Sequence, residues 1–196
     1  MARAPARLLA ATALAAALLA AGAPAYPQSD EWRALTREAM LYFQAGQLDR
    51  AESALVQAVV VAERDGGPNH PTVAASLSDL AALYFAQERY AQAEALMKRA
   101  LAIREQAFGP ERPGVAKSLD NLAQLYYVQG EYAKAVPLVE RALSIYEKVR
   151  GPASPDVARS LDGLAELYRK TGRAPEAKAL EERAVRIRRD LASKAR

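Results

Sequence analysis

A self-similarity with a period of 42 residues constrains this chain more than any other feature. Setting Gly67, Gly109 and Gly151 in register gives the windows 67–108, 109–150 and 151–192. The first two agree at 21 of 42 positions and the last two at 19 of 42, with no gap. A more divergent window, 25–66, keeps the same frame through Leu35, Ala39, Tyr42, Gly46 and Ala51. Repetition on this scale means one supersecondary unit recurring, each copy depending on its neighbours for burial.

The unit is a pair of helices. Alanine dominates, and the stretches between Gly-Pro pairs contain few breakers, which favours helix throughout. In the window 67–108 the cluster "GPNHP" excludes helix interior. Val73, Leu77, Leu80, Ala81 and Tyr84 then follow one helical face. The break "QER" corresponds to "QGE" at Gln129 to Glu131 and "TGR" at Thr171 to Arg173, where Gly suits a helix C-cap. A second helix carries Tyr90, Ala93, Leu96, Met97, Ala100, Leu101 and Ile103. Neither helix has enough apolar face to fold alone, so adjacent units must stack. The expected fold is all-α, with about eight helices in four repeats.

The spacing Leu77-x-x-Leu80-Ala81-x-x-Tyr84, followed by Ala93, Met97 and Ala100, resembles the tetratricopeptide repeat. The usual repeat has 34 residues. The longer period here, with "HPTVAASL" and "GEYAKAVPLVERALSIYEK", resembles the kinesin-light-chain subtype. The resemblance covers 25–192 and implies a right-handed α-solenoid whose concave surface binds a peptide or helix of a partner protein. Glu38 replaces the second Leu of the first unit and Glu181 the Met97-type residue of the last. Polar ends of this kind cap an array that has no further neighbour, and they predict a monomer.

The frame also separates two aromatic columns. Tyr42, Tyr84, Tyr126 and Tyr168 take the packing position of the family, and a buried Tyr hydroxyl needs a partner, expected at the repeat junctions. The next residue is turned by about 100°. Phe43, Phe85, Tyr127 and Arg169 are therefore expected toward the concave surface, either at the repeat edge or as ligand contacts. Other first-helix positions aimed there are Arg33, Thr36, Arg37 and Met40, then Ala75, Ser78, Asp79 and Ala82. The third unit adds Lys117, Asp120, Asn121 and Gln124, and the fourth Arg159, Asp162, Gly163 and Glu166. An Asn at the position of Asn121 is typical of the subtype, and its amide suits a peptide backbone. The expected partner-binding set is Phe43, Phe85, Asn121, Gln124, Tyr127, Arg159 and Arg169.

Catalytic and metal chemistry finds no support. The chain has no Cys and one His, His70, within the "GPNHP" turn, so a zinc site would rest on carboxylates alone. There is no glycine-rich phosphate loop, and no cofactor is implied. The formal charge of +4 lacks the dense basic face that nucleic acid asks for. Residues 1–25 read as a secretory signal peptide: basic "MARAPAR", apolar Leu8 to Ala20, and small residues before a cleavage site after Ala25. The chain is thus expected to be periplasmic or secreted, with membrane contact only if this segment stays uncleaved. Residues 193–196 form a basic tail. The function expected is that of a non-catalytic interaction module or scaffold, with end-to-end self-assembly as the alternative.

Overall fold

The computed structural model describes residues 29–194, so residues 1–25, expected above to be a signal peptide, and the last two residues of the basic tail lie outside it. Eight helices follow in order: α1 (Asp30–Gln44), α2 (Leu48–Gly66), α3 (Pro71–Ala86), α4 (Tyr90–Phe108), α5 (Pro113–Val128), α6 (Tyr132–Arg150), α7 (Pro155–Lys170) and α8 (Ala174–Lys194). The chain divides into two compact units, unit 1 ending at Ala107 and unit 2 beginning at Phe108. Each contains two helix pairs.

Local chemistry sets the helix ends. Pro71, Pro113 and Pro155 stand in the first turn of α3, α5 and α7, where a missing N–H costs nothing. Ser29, His70 and Ser154 accept from backbone N–H groups of the first turns of α1, α3 and α7. His70 is therefore a capping residue, its Nδ1 receiving the Thr72 N–H at 3.3 Å. Gly67 and Gly151 end α2 and α6 at φ 85° with ψ 164° and φ 84° with ψ 156°, a region open essentially to glycine alone. That explains why the repeat frame starts on Gly. The turn inside each pair also needs a left-handed residue. Gly46, Gly130 and Gly172 supply it in three repeats, whereas the second uses Glu88 at φ 60°.

Small residues set the helix spacing. Ala51, Ala93, Ala135 and Ala177 are buried, as are Ala58, Ala100, Ala142 and Ala184, so within each unit the second helices approach their neighbours closely. Leu77, Leu119 and Leu161 fill the space between. Unit 1 adds Trp32, which stands where later repeats carry Ala74, Ala116 and Ala158. It packs among Ala58, Val61, Val73, Leu77 and Ile103, and its Nε1 donates to Ser76 Oγ at 2.6 Å.

The tyrosine column behaves as its position demands. Tyr84 is buried and donates to Glu52 on α2 at 2.9 Å, so its hydroxyl is satisfied by the preceding repeat. Arg89 holds the same carboxylate, keeping Glu52 below its usual range, and lies 4.0 Å from the centre of the Tyr84 ring. In unit 2, Tyr168 donates to Glu140 on α6 at 2.7 Å, with Arg173 stacked 3.6 Å from the ring centre. Tyr42, in the first repeat of the frame, instead turns back to Glu38 on its own helix at 2.7 Å. Leu41 shows the same end effect: it is 60% exposed, while its counterparts Leu83 and Leu167 are 0% and 3% exposed. That column therefore faces the preceding repeat.

Three outcomes follow. Tyr84→Phe leaves Glu52 with Arg89 and removes one bond, a loss of about 1 kcal/mol in urea unfolding. The matching Tyr42→Phe loses well under that, because its partner is exposed on the same helix. Glu88→Gly relieves the left-handed strain and raises stability by about 1 kcal/mol in the same measurement.

Candidate functional site

Of the residues that the frame assigned to a binding surface, Asn121, Gln124, Tyr127, Arg159 and Arg169 stand on α5 and α7, the first helices of unit 2. Gln124, Arg159, Gly163 and Arg169 are exposed, and Asp120, Asn121, Tyr127, Asp162 and Glu166 are partly exposed. The Tyr127 hydroxyl donates to Glu166, joining α5 to α7 across the face. This bond, with burial, holds the Tyr127 hydroxyl up at about 12. Gly163 stands in the column of Asn121, and a Cβ there would meet nothing within 4 Å. The face is thus open at Gly163 and carries amide groups at Asn121 and Gln124.

The charged members of the set are tied to near neighbours. Arg159 pairs with Asp156 one turn earlier at 2.8 Å, and Arg169 pairs with Glu181 on α8. Asp162 is held by Arg188 of α8. Exposed pairs of this kind are worth only ~0–1 kcal/mol, so an incoming charged group exchanges with them at little cost. Glu181, read from sequence as a polar cap, thereby also positions Arg169.

Asp120 differs. Tyr146 on α6 donates to its Oδ2 at 3.0 Å, and burial pushes its carboxyl up to about 6, against the pull of Tyr146 and Arg159. In unit 1, burial pushes Asp79 up to about 7 against the pull of Arg104.

Phe85 does not lie where the sequence reading put it. It is 3% exposed, and its ring meets Tyr90 edge-on with centroids 5.6 Å apart. Its place on a contact surface is corrected to an internal packing role, because Tyr90 opens the second helix of the same repeat and covers the ring. Tyr127 makes the same edge-on contact with Tyr132 at 5.3 Å but keeps partial exposure and its bond to Glu166. Phe43 is partly exposed and packs against Ala82 in unit 1, as does Ala86. The signal for this was present: Tyr90 and Tyr132 recur at the period of 42, five residues after Phe85 and Tyr127. Where Ala174 replaces that Tyr, Arg169 replaces the ring before it.

Among the described residues no group of three or more His, Asp or Glu side chains stands together as a metal site. No described helix is long and apolar enough to cross a membrane.

The raised Asp120 carboxyl has a defined consequence for stability. Between its ordinary value of 3.8 and about 6, the folded chain keeps a proton that the unfolded chain has released. Stability from this group is therefore full at the acid end and falls as pH rises through that window. Asp120→Asn keeps an acceptor for Tyr146 and removes the loss. The variant is expected to gain on the order of 1 kcal/mol at pH 7.5 and to converge with the parent at pH 3.5, read by urea unfolding at both pH values.

Comparison with known proteins agrees with this architecture. No curated protein matches the chain significantly. Among solved structures, BtubC (BKLC) from P. vanneervenii superposes with a TM-score of 0.76 at 25% identity, covering 86% of this chain and 68% of that one. A Podosopora anserina kinesin-light-chain-type protein with nearly identical TPR-like repeats superposes with a TM-score of 0.71 at 28% identity, covering 83% and 78%. The apo form of RapI, at 16% identity and a TM-score of 0.71, shares the fold over 95% of this chain and 65% of its own. The likeness is to all-α solenoids of helical repeats. The tetratricopeptide repeat model matches residues 33–106, 72–148 and 115–190, and the chain belongs to the tetratricopeptide repeat family.

Proposed function

We propose that this protein is a non-catalytic interaction module that holds an extended or helical segment of a partner protein on the first-helix face of unit 2. Proteins of this repeat family generally mediate protein–protein interaction, and no enzymatic family is indicated. The observation that carries the reading is the row Asn121, Gln124, Gly163 and Arg159 on α5 and α7. It is accessible, polar and fixed in place by the Tyr127–Glu166 bond. Amides at Asn121 and Gln124 offer a donor and an acceptor each to a peptide backbone, and Gly163 lets that backbone come close. Arg159 and Arg169 take carboxylates of the segment by exchanging from Asp156 and Glu181. Because the helices are already packed, little ordering entropy is lost on binding.

The leader at 1–25 supports an exported location, periplasmic or secreted, where that partner is met. The capping residues Glu38 and Glu181 favour a monomer over end-to-end stacking.

Partner capture from a periplasmic extract tests the reading with three variants. Asn121→Ala and Gln124→Ala are expected to weaken capture about tenfold each, while urea unfolding stays within ~0.5 kcal/mol of the parent. Gly163→Ala is expected to raise stability by ~1 kcal/mol through helix propensity, since its methyl meets open space, and still to weaken capture. Unchanged capture by all three variants overturns the assignment of this face.

A further inference from the structure

We infer that the outer side of α8, around Glu182, Val185 and Arg189, is a second docking surface, which takes an amphipathic helix of a partner protein that brings a carboxylate to Arg189. This surface stands apart from the first-helix face of α5 and α7, and either assignment can fail without the other.

The repeat frame shows what this side of a second helix is built to meet. Val185 stands in the column of Leu101 and Leu143, and Glu182 in that of Glu140. Arg189 stands in the column of Glu63, Glu105 and Glu147. Within unit 2, α6 uses these positions to hold the helices after it. The Tyr168 hydroxyl of α7 donates to Glu140 at 2.7 Å, and Arg183 of α8 pairs with Glu147. Unit 1 repeats the second contact, with Arg99 of α4 on Glu63 of α2. On α8 the same positions are open. Val185 is 61% exposed where Leu143 is 9% exposed. The Arg189 side chain is 74% exposed where that of Glu147 is 32% exposed. Arg189 lies against Asp190, the next residue in the chain, and an exposed pair of this kind exchanges at little cost.

The occupant follows from a change of sign. At Glu63 and Glu147 the chain presents a carboxylate and an arginine arrives. At Arg189 the chain presents the arginine, so the group that lies against it must bring the carboxylate. Arg186 adds a second exposed positive charge beside Val185. Glu182 is exposed and keeps the acceptor that Glu140 offers to a tyrosine hydroxyl. Glu182 and Arg189 are two turns apart, ~10 Å along α8, with Val185 between them. A helix lying beside α8 therefore fits with a tyrosine, a leucine and a glutamate spread over two turns of one face. A second copy of this chain fits less well. Its α1 would bring Glu38 into the place that buried Leu80 and Leu164 hold, and its α2 would offer Gln57 where Arg99 and Arg183 stand. An anionic membrane surface also fits less well, because Glu182 and Asp190 flank the basic residues.

Two synthetic amphipathic peptides test this on the full chain by fluorescence anisotropy. One carries Tyr, Leu and Glu over two turns of one face, and its twin has Arg in place of Glu. The acidic peptide is expected to bind the parent about tenfold more tightly than its twin. Val185→Asp and Arg189→Glu are each expected to weaken it about tenfold, and Arg189→Glu to reverse the preference between the peptides. Asn121→Ala is expected to leave this binding unchanged. Absence of binding, or equal binding by the parent and both α8 variants, overturns the inference. Loss of binding in Asn121→Ala also overturns it, because the peptide then sits on the first-helix face. Two further results assign the surface elsewhere and overturn it as well: phosphatidylglycerol vesicles binding the parent in place of the peptide, or self-association of the parent that Val185→Asp abolishes. Circular dichroism confirms folding of each variant. Should Arg189→Glu disturb α8, Arg189→Gln carries the same test, with the preference between the peptides expected to vanish and its persistence overturning the inference.

Discussion

A single helix pair of this chain cannot bury its own apolar surface, and the rest of the structure follows from that constraint. The junction between the second helix of one repeat and the first helix of the next supplies the missing cover. Leu83 and Leu167 are buried there, and the hydroxyls of Tyr84 and Tyr168 find Glu52 and Glu140 across it. Buried alanines make the approach close enough for these contacts to form. In the first repeat, the same frame positions change character. Leu41 is exposed, Glu38 takes the place of a buried Leu, and Tyr42 satisfies its hydroxyl within α1. At the other end Val185 is exposed, and Glu181 pairs with Arg169.

The face we propose for function is what the junctions leave over. The first helices must present one face to the preceding repeat and another to their own second helix, so the remaining face is free to differ from repeat to repeat. In unit 2 it is polar and carries amides, an open glycine and loosely paired charges. In unit 1 it is built from alanine and Phe43 around Asp79. One repeat frame thus makes two surfaces of different chemistry without altering the packing.

The fold was legible in the sequence because packing repeats with the chain. The helix pairs, the glycine turns, the alanine columns and the need for a junction partner at Tyr84 all recur at one interval. The exposed face of the first helices, proposed above for binding, was legible as a set of positions but less so as a set of side chains. Asn121, Gln124 and Arg159 lie where the frame put them. Phe85 does not, because its environment is fixed by Tyr90 across a turn, a contact within a repeat that a comparison between repeats does not weigh. Trp32 escaped for the opposite reason: it occurs once, where later repeats have Ala, so no column announces it. The pairing of Arg169 with Glu181 and of Asp120 with Tyr146 required the relative turn of two helices about their axes.

Hydrogen exchange of the native chain, resolved by helix, tests most directly whether the junctions hold the fold together. The account predicts that α3 and the helices flanking it open together, and that Leu83→Ala lowers protection in both α2 and α3. It also predicts faster exchange in α1, whose Leu41 is 60% exposed, than in α3, whose Leu83 is 0% exposed. If each helix pair opens independently, with Leu83→Ala felt in α3 but not in α2, the repeats are self-sufficient and the account is contradicted.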